Sequence, residues 1–537
     1  MIGLSLVYPL IVLIFDLSEE QNEFMLKLQF VVENIGIELS QTSLIVCIVG
    51  LIFGKALLML GYRYVVAISV YSYMVGLRAD IYDSYFKSTK IILDRDTSKV
   101  LNALTTQSHA ASSAMQLQFN ILQSVITLAM TVVLGFLISP KLMLAAMLLG
   151  SVLFYLSKFT LTWSRKMGRN LIYVDQEYYK NINQILQNYE YLKSSGVYRH
   201  FKRQVSEVLK RVYKINIFFV LLNRGTQIMT EPVVILSLAV VLFSGLNYLS
   251  VEIASVMLMY VILARTYYQI GGLVGQYQGY NKDFVAVGYC NDFLRDSQRT
   301  VHLEKRTNRS RFDGQIKINN IAYTYGDQKI FDNLSLTINQ GETVCLTGSS
   351  GTGKSTLLNL MLGTLQPLSG QITISDIEPH TICIDDCFTN VGIVTQSPAI
   401  FDLTVRHNLT IKNPDVSDEQ LEYYLNYFGL NGISSVESAN LDYMIVDQGN
   451  NLSGGERQRL AFIREIVGKP NLLILDEPTS SIDRHSTEKI FNYLSGSRRD
   501  ITTIYITHDQ SLYDYADTVY RFENNSVSKL DKSKNIL

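Results

Sequence analysis

Long apolar runs dominate the first part of the chain and end at about residue 290. Six runs, most of them close to the ~20 residues needed to cross the hydrocarbon core of a bilayer, predict six transmembrane helices. They cover residues 1–16, 42–66, 118–138, 142–161, 216–243 and 251–272. The first run is short, but it lacks the charged start and small-residue cleavage site of a signal peptide, so we interpret it as a first span.

Basic residues are unevenly distributed among the segments that join these runs. Residues 17–41, 139–141 and 244–250 contain only Lys27 and Lys141. Residues 78–115 and 162–215 contain many more, including Arg165, Lys166, Arg169, Arg199, Lys202, Arg203, Lys210 and Arg211. Because basic loops stay on the cytoplasmic side, both long segments are predicted to be cytoplasmic. Their pattern indicates helices with polar faces, so the second to fifth spans should extend well beyond the membrane.

The pattern changes after Arg295. Residues 296–312 are polar, mostly basic and without an apolar period, which is typical of a linker. From Ile316 onward the chain consists of short β-type runs and turns. We therefore predict a helical membrane domain over residues 1–295, a linker over 296–312 and a second domain over 313–537.

Composition and charge narrow the functional classes. Of the 537 residues, 47% are hydrophobic and 18% are charged, and the formal net charge is −1. A near-neutral chain gives no reason to expect nucleic acid as a partner. The five cysteines form neither a disulfide framework nor a metal-binding spacing.

A glycine-rich loop follows the short apolar strand Val344-Cys345-Leu346. The loop and the start of the next segment contain Gly348, Ser349, Ser350, Gly351, Thr352, Gly353, Lys354, Ser355 and Thr356. In the order strand, glycine loop, helix, backbone N–H groups and a helix N-terminus bind phosphate. We expect Lys354 to reach the β- and γ-phosphates of a nucleotide and Ser355 to bind Mg²⁺.

A second apolar strand, Leu472–Leu475, ends in two carboxylates. Asp476 should hold Mg²⁺, directly or through water. Glu477 is placed to polarise an attacking water as the general base.

Between these motifs stands Leu452-Ser453-Gly454-Gly455-Glu456. This segment resembles the signature peptide of ATP-binding-cassette (ABC) ATPases. Its occurrence together with the phosphate loop and Asp476-Glu477 is similar to the motif set of that family. Six spans with two long cytoplasmic hairpins and a following ATPase domain are similar to an ABC exporter half-transporter. The resemblance implies a six-helix membrane domain followed by an α/β P-loop NTPase domain with a helical signature subdomain.

The same resemblance implies roles for further residues. An aromatic side chain stacks on adenine in this family; Tyr325 matches its position, and Tyr323 is the competing choice. Gln396 matches the glutamine that senses the γ-phosphate, and His508 matches the switch histidine. Ser480-Ser481-Ile482-Asp483 matches the D-loop.

The resemblance also implies cofactors and a partner. ATP and Mg²⁺ are the expected ligands, with Ser355, Gln396 and Asp476 at the metal and Glu477, Gln396 and His508 as catalytic residues. Ser453, Gly454, Gly455 and Glu456 are expected to complete the ATP site of the opposite subunit. One copy of each motif therefore predicts a pair of half-transporters, most simply a homodimer, with a heterodimer as the alternative.

Three charged residues fall near the centres of the predicted spans: Lys55, Glu231 and Arg265. Charges inside a bilayer are costly and usually face a cavity or a partner. Glu231 and Arg265 lie at similar depth on either side of the turn near residue 248, so they form a mutual salt bridge or line a translocation cavity. Lys55 lies at similar depth and is a third candidate for the cavity.

A weaker resemblance concerns the substrate. Leu4-Ser5-Leu6-Val7-Tyr8-Pro9-Leu10, and later Lys55-Ala56-Leu57-Leu58, are similar to lipid-linked oligosaccharide flippases. The positive charges would suit an anionic headgroup. Export of a peptide, toxin or drug is the alternative.

These observations predict an ATP-driven transporter that exports or flips its substrate by alternating access. We expect a multi-pass protein of the plasma membrane, in bacteria the inner membrane, with a cytoplasmic ATPase domain. A non-transport ABC ATPase is a competing class, which the six spans disfavour. An ATP-gated channel is another, which the catalytic residues Glu477 and His508 disfavour.

Overall fold

The protein divides into two compact units, Met1–Thr300 and Val301–Leu537. The structure is a computed structural model. It describes residues 41–87, 97–138, 140–228, 253–300, 314–325, 328–379, 390–430, 441–479, 481–497, 500–523 and 526–530, with a few residues between 232 and 243.

The first unit is built from long helices. They are α1 Gln41–Lys87, α2 Thr97–Asn102, α3 Ser108–Ile138, α4 Pro140–Gln187, α5 Tyr189–Ser194, α6 Tyr198–Ile228 and α7 Ile253–Thr300, and a π-helical segment, Ala103–Gln107, joins α2 to α3. Helix α4 has 48 residues, or about 70 Å at a rise of ~1.5 Å per residue. That length is more than twice the ~30 Å hydrocarbon core of a bilayer, as expected for spans that continue into long extensions.

Apolar surface on these helices matches a bilayer setting. Val49–Phe86 and Thr97–Leu137 are long and apolar enough to cross a membrane. On α1, Leu57 and Leu58 are exposed, with 71% and 79% of their surface accessible. The predicted first span, residues 1–16, lies outside the described residues.

Polar side chains join α7 to its neighbours. Ser113 and Ser124 of α3 donate hydrogen bonds to Asp283 and Gln276, over 2.7 and 3.0 Å. The Gln278 amide donates to Thr160 Oγ1 of α4, over 2.6 Å. These part-buried contacts help to fix how each helix is rotated about its axis.

Helix α7 continues to Thr300, into the segment that the sequence pattern predicts as linker. The prediction placed the change at residue 296 because the composition turns polar there. Residues 296–300 contain neither Gly nor Pro, and polarity alone does not end a helix.

The second unit contains two sheets. Its strands are β1 Ile316–Tyr325, β2 Gln328–Ile338, β3 Thr343–Gly348, β4 Ser369–Ile374, β5 Val391–Val394, β6 Leu472–Asp476, β7 Thr502–Ile506, β8 Thr518–Glu523 and β9 Ser526–Lys529. A three-stranded antiparallel sheet has the order β2-β1-β4, and a six-stranded sheet has the order β5-β6-β7-β3-β8-β9. The second sheet is parallel except for β9. Leu472–Leu475 of β6 are fully buried, as expected for a parallel strand covered on both faces.

The same unit also contains helices. They are α8 Lys354–Met361, α9 Val405–Thr410, α10 Asp418–Tyr427, α11 Gly454–Val467 and α12 Arg484–Ser497. Leu421 of α10, Phe462 of α11 and Phe491 of α12 belong to one buried apolar cluster. A capping box fixes the start of α11: Ser453 accepts from the Glu456 amide, and the Glu456 carboxylate accepts from the Ser453 amide.

Candidate functional site

Four neighbouring strands bring predicted residues to one edge of the six-stranded sheet. In the order β5-β6-β7-β3, Gln396 follows β5, Asp476 ends β6, His508 follows β7 and Gly348 ends β3. Parallel strands share one direction, so their carboxyl ends meet at the same edge, where α/β proteins bind ligands.

The loop after β3 depends on glycines with positive φ. Gly348, Gly351 and Gly353 have φ values of +140°, +83° and +97°. A Cβ atom at Gly348 would lie 2.4 Å from the Phe522 carbonyl oxygen, and one at Gly353 would lie 2.6 Å from Ile330 Cγ2. A Cβ atom at Gly351 would meet nothing within 4 Å. The ends of the loop are therefore closely packed, while its middle has room for a ligand to approach the backbone.

The buried ammonium of Lys354 lies inside this loop. Its Nζ donates to the carbonyl oxygens of Gly348 and Ser349, over 2.7 and 2.8 Å. Burial lowers the pKa of Lys354, while the negative charges of Glu477 and Asp476 act in the opposite direction. A positive charge thus lies between the loop and the carboxylates.

The other residues of the loop and of the following helix start add hydroxyl groups. Ser349, Ser350 and Ser355 are exposed, and Thr352 and Thr356 are half-buried. Thr352 Oγ1 donates to the Ser349 carbonyl oxygen, over 2.9 Å. Hydroxyl and amide donors beside a buried ammonium form a donor set suited to phosphate oxygens.

The two carboxylates at the end of β6 occupy different surroundings. Asp476 is half-buried, and burial raises its pKa; the charge of Glu477 raises it further, while Lys354 lowers it. Glu477 has a positive φ of +49°, which is unusual for a residue with a side chain. Its backbone amide donates to the Ile506 carbonyl oxygen, over 3.0 Å.

The structure brings the three predicted catalytic residues together. Gln396 Nε2 donates to Glu477 Oε2 over 2.8 Å. His508 Nε2 lies 3.3 Å from Glu477 Oε1. The Glu477 carboxylate is thus held between two side chains that come from different strands, a geometry suited to directing a general base.

The side-chain oxygen atoms that could bind a metal ion here suit a magnesium–nucleotide complex better than a metal ion held by protein ligands alone. The described residues contain no group of three or more His, Cys, Asp or Glu side chains that could hold a metal ion. Asp476, Ser355 and the Gln396 amide offer hard oxygen ligands from three elements, the kind that Mg²⁺ prefers. Mg²⁺ usually completes such a set with phosphate oxygens and water.

The two tyrosines proposed for adenine stacking differ in exposure. Tyr325, at the end of β1, is 48% exposed. Tyr323 is partly buried against the core of the three-stranded sheet, and burial raises its pKa. The two rings meet edge-on, with centroids 6.0 Å apart. Tyr325 is therefore the more accessible of the two side chains.

The signature peptide lies at the start of α11, and its side chains pair with one another. Ser453 is exposed, and its Oγ lies 2.7 Å from Glu456 Oε2. A Cβ atom at Gly455 would lie 2.9 Å from the Ser481 carbonyl oxygen, and one at Gly454 would lie 3.2 Å from Ser481 Cβ. Glycine at both positions lets the helix start pack directly on the loop after β6.

Sequence reasoning missed three polar residues further along α11: Gln458, Arg464 and Glu465, which are 1%, 8% and 3% exposed. Gln458 donates to the Glu477 carbonyl oxygen, over 3.1 Å. Arg464 donates to the carbonyl oxygen of Ala399, three residues beyond Gln396, over 2.7 Å. A signal existed: Gln458 and Glu465 share the i, i+3, i+4, i+7 stripe of apolar Ala461 and Phe462, where polar residues need partners.

The residues proposed for a substrate cavity are less well defined. Lys55 lies on the exposed side of α1, and Arg265 is half-buried on α7. Glu231 lies outside the described residues, so the predicted pairing of Glu231 with Arg265 stays a prediction.

Fold and site define a class: a helical membrane domain followed by a P-loop nucleotide-binding domain. Two family models match the chain, "ABC transporter transmembrane region" over residues 21–267 and "ABC transporter" over residues 331–480. The chain belongs to the ABC transporter family. The predicted family and fold class are confirmed. We call the first unit the membrane unit and the second the nucleotide-binding unit.

Solved and curated relatives agree with this assignment. The structure of a bacterial Atm1-family ABC exporter with ATP bound matches with a TM-score of 0.79 at 20% identity, over 91% of this chain and 88% of that one. That likeness shows the exporter fold. Multidrug resistance protein pgp-1 of Caenorhabditis elegans is 32% identical over 217 residues, 40% of this chain and 16% of that protein. The alpha-hemolysin translocation ATP-binding protein HlyB of Escherichia coli is 28% identical over 343 residues, 62% of this chain and 47% of that protein. Each match spans less than half the length of the curated relative.

Proposed function

We propose that this protein hydrolyses ATP and uses the free energy to export or flip a substrate across a membrane. The observation that carries the proposal is the Glu477 carboxylate held between Gln396 Nε2 and His508 Nε2, at 2.8 and 3.3 Å. A protein that only bound ATP would gain nothing from a carboxylate directed in this way.

In this proposal the nucleotide lies along the loop after β3. Tyr325 stacks on the adenine, the loop amides and Lys354 bind the phosphates, and Ser355, Asp476 and Gln396 hold Mg²⁺. Bound Mg²⁺ neutralises charge on the phosphate oxygens. Glu477 accepts a proton from the attacking water, and His508 and Gln396 orient its carboxylate.

A second copy of the chain completes each site. Ser453 is exposed at the start of a capped helix, and the next two residues, Gly454 and Gly455, carry no side chain that would block a ligand. These signature residues, with Glu456, bind the nucleotide held by the partner. ATP therefore stabilises the closed dimer, and hydrolysis releases it, because a ligand favours the state to which it binds more tightly. A homodimer is the arrangement we propose, and a related half-transporter is the alternative partner.

We propose the plasma membrane, in bacteria the inner membrane, as the location, with the nucleotide-binding unit in the cytoplasm. The basic segments 78–115 and 162–215 support this orientation. The substrate that we propose is an amphiphilic or anionic lipid-linked molecule, because Lys55 and Arg265 supply positive charge within two predicted spans. A peptide, toxin or drug is the second candidate, and the names of the curated relatives favour it.

The test is ATP hydrolysis by the purified protein in liposomes, comparing wild type with Glu477→Gln. We expect the substitution to lower kcat at least ~100-fold, since it removes the base but keeps the shape. Glu488→Gln, at a half-exposed glutamate of α12 that pairs with Arg484, is the matched control and should hydrolyse ATP at about the wild-type rate. Lipid-linked glycans, peptides and drugs are then added in turn, and stimulation by one class identifies the cargo.

Three outcomes would contradict parts of this proposal. Equal rates for wild type and Glu477→Gln would mean that Glu477 is not the base. An inactive wild type that gains activity only with another half-transporter would exclude the homodimer. Stimulation by peptides or drugs but not by lipid-linked glycans would exclude the proposed substrate.

A further inference from the structure

Gln458 connects the signature helix to the backbone that carries the proposed base. It lies on the first turns of α11 and is 1% exposed. Its Nε2 donates to the Glu477 carbonyl oxygen, over 3.1 Å. Its Oε1 accepts from the Ser481 backbone amide, over 3.3 Å. A single buried amide thus holds both ends of the turn that follows β6.

The backbone that Gln458 contacts is in an unfavourable conformation. Glu477 has φ of +49°, a left-handed conformation that is unfavourable for a residue with a Cβ atom. Such a conformation persists only where the surroundings specify it. The Glu477 amide is held by the Ile506 carbonyl oxygen, and its carbonyl is held by Gln458. The peptide groups on both sides of the Glu477 side chain are therefore fixed.

The same helix start touches the same turn at a second place. Cβ atoms at Gly454 and Gly455 would lie 3.2 Å and 2.9 Å from atoms of Ser481. Arg459 adds a contact just beyond the turn, at the start of α12: its Nη1 donates to Ser486 Oγ over 3.0 Å and lies 3.5 Å from Asp483 Oδ2. Helix α11 therefore packs along the turn, and Gln458 supplies the hydrogen bonds to its backbone.

From this geometry we infer that Gln458 is a positioning residue for ATP hydrolysis. It fixes the Glu477 peptide so that the carboxylate meets Gln396 and His508. It also ties that peptide to the helix whose first residues are proposed to bind the partner's nucleotide. The inference rests on the proposed function, because it gives Gln458 a role in turnover rather than in folding alone.

Two substitutions separate the two hydrogen bonds. Gln458→Glu keeps an oxygen that accepts from the Ser481 amide, but it places a second oxygen against the Glu477 carbonyl. Gln458→Leu removes both bonds at similar volume. Gln420→Leu, at an exposed glutamine of α10, is the matched control.

Amide hydrogen exchange of the full-length protein, measured without nucleotide, reports the positioning directly. In Gln458→Leu, the peptide covering residues 476–483 should exchange about tenfold faster, because a lost backbone bond lowers local protection. In Gln458→Glu, the Ser481 amide should keep its protection. The peptide covering residues 343–348 should exchange at the wild-type rate in all variants, which shows that the domain is folded.

Steady-state hydrolysis then tests the consequence. We expect both Gln458 variants to lower kcat about tenfold and to leave KM for ATP within about twofold, since the phosphate loop is not altered. Gln420→Leu should match wild type. Unchanged exchange over residues 476–483 in Gln458→Leu would overturn the inference. So would faster exchange with an unchanged kcat, since Gln458 would then be structural only. Failure of the proposed function would look different, because wild type itself would show no turnover.

Discussion

The two units differ in how their polar side chains find partners. In the nucleotide-binding unit, Gln396 and His508 reach Glu477 because each follows the end of a parallel strand in the same sheet. In the membrane unit, contacts such as Thr131 with Gln269 join long helices, and each helix can rotate or slide until its whole face fits. Motif spacing therefore predicts the contacts at strand ends in the nucleotide-binding unit. In the membrane unit, hydropathy predicts that long helices exist but not which side chains join them.

The largest effect that this comparison predicts concerns the buried charges on α11. Glu465 Oε1 accepts from Arg464 Nε over 3.1 Å, and Oε2 accepts from the Ile393 amide over 3.3 Å and from Lys412 Nζ. Glu465→Leu would leave two positive charges without their carboxylate. We expect it to lower the free energy of unfolding by about 3–5 kcal/mol, because an unpaired buried charge is costly.

Pulse proteolysis of the full-length protein across a urea series would measure this loss. Glu488→Leu is the control, because Glu488 pairs with Arg484 at the surface, with side chains 45% and 88% exposed. The control should change the free energy of unfolding by at most ~0.5 kcal/mol. A loss below about 1 kcal/mol in Glu465→Leu would mean that water or a rearrangement satisfies Arg464 and Lys412.

Most of the residues that this structure brings together at the site could be predicted from the sequence, because their positions depend on local backbone structure. Lys354 and Glu477 belong to motifs in which a loop conformation or a strand end determines where the side chain points. Gln458 and Glu465 could not be placed in the same way, because each has partners in segments outside α11, which include the Glu477 carbonyl for Gln458 and the Ile393 amide and Lys412 for Glu465. Glycines such as Gly348 were identified from the loop pattern, but the contact that excludes a side chain there, with the Phe522 carbonyl, is tertiary.

For the membrane unit, the sequence predicted long helices but not their contacts. The run over 142–161 predicted a span, and α4 does extend to Gln187 as the polar face beyond it indicated. No pattern in the sequence paired Ser124 with Gln276, or Thr160 with Gln278. Pairing depends on the rotation of each helix, which apolar lipid and apolar neighbours specify weakly.

A pH effect of intermediate size should come from Asp175 on α4, within the extension predicted to be cytoplasmic. Burial raises its pKa from 3.8 to about 6, although Lys282 lowers it. A carboxyl that is harder to ionise in the folded state costs stability once it is charged. That cost is absent below pH 3.8 and complete above about pH 6. Asp175→Asn should therefore melt about 2–4 °C higher than wild type at pH 7.5.

The advantage of Asp175→Asn should shrink as the pH falls through 6 toward 4. The single tryptophan, Trp163 of α4, reports unfolding by fluorescence, since its ring packs 5.9 Å from that of Phe218 on α6. Glu177→Gln, at a half-exposed glutamate of the same helix that pairs with Arg211, is the control. It should shift the melting temperature by no more than about 1 °C. An advantage that stays constant with pH would show that Asp175 is not the titrating group.

The smallest effect predicted here is the most direct measure of the difference between the units. Thr131 Oγ1 lies 3.2 Å from Gln269 Oε1, and both residues fall within predicted spans. In a double-mutant cycle of Thr131→Val and Gln269→Leu, we expect a coupling free energy of about 0.6 kcal/mol, because separated helices find other partners within the membrane.

Titration with a denaturing detergent, followed through Trp163 fluorescence, would measure this coupling, with Thr42→Val and Gln269→Leu as a control cycle. A coupling near zero would mean that the contact between Thr131 and Gln269 does not help to align α3 and α7. A coupling above about 2 kcal/mol would mean that this pair specifies the packing of its two helices as strongly as a contact between strand ends specifies the site. Hydrogen bonds would then determine helix pairing, and the contrast between the units would lie only in how visible their contacts are in the sequence.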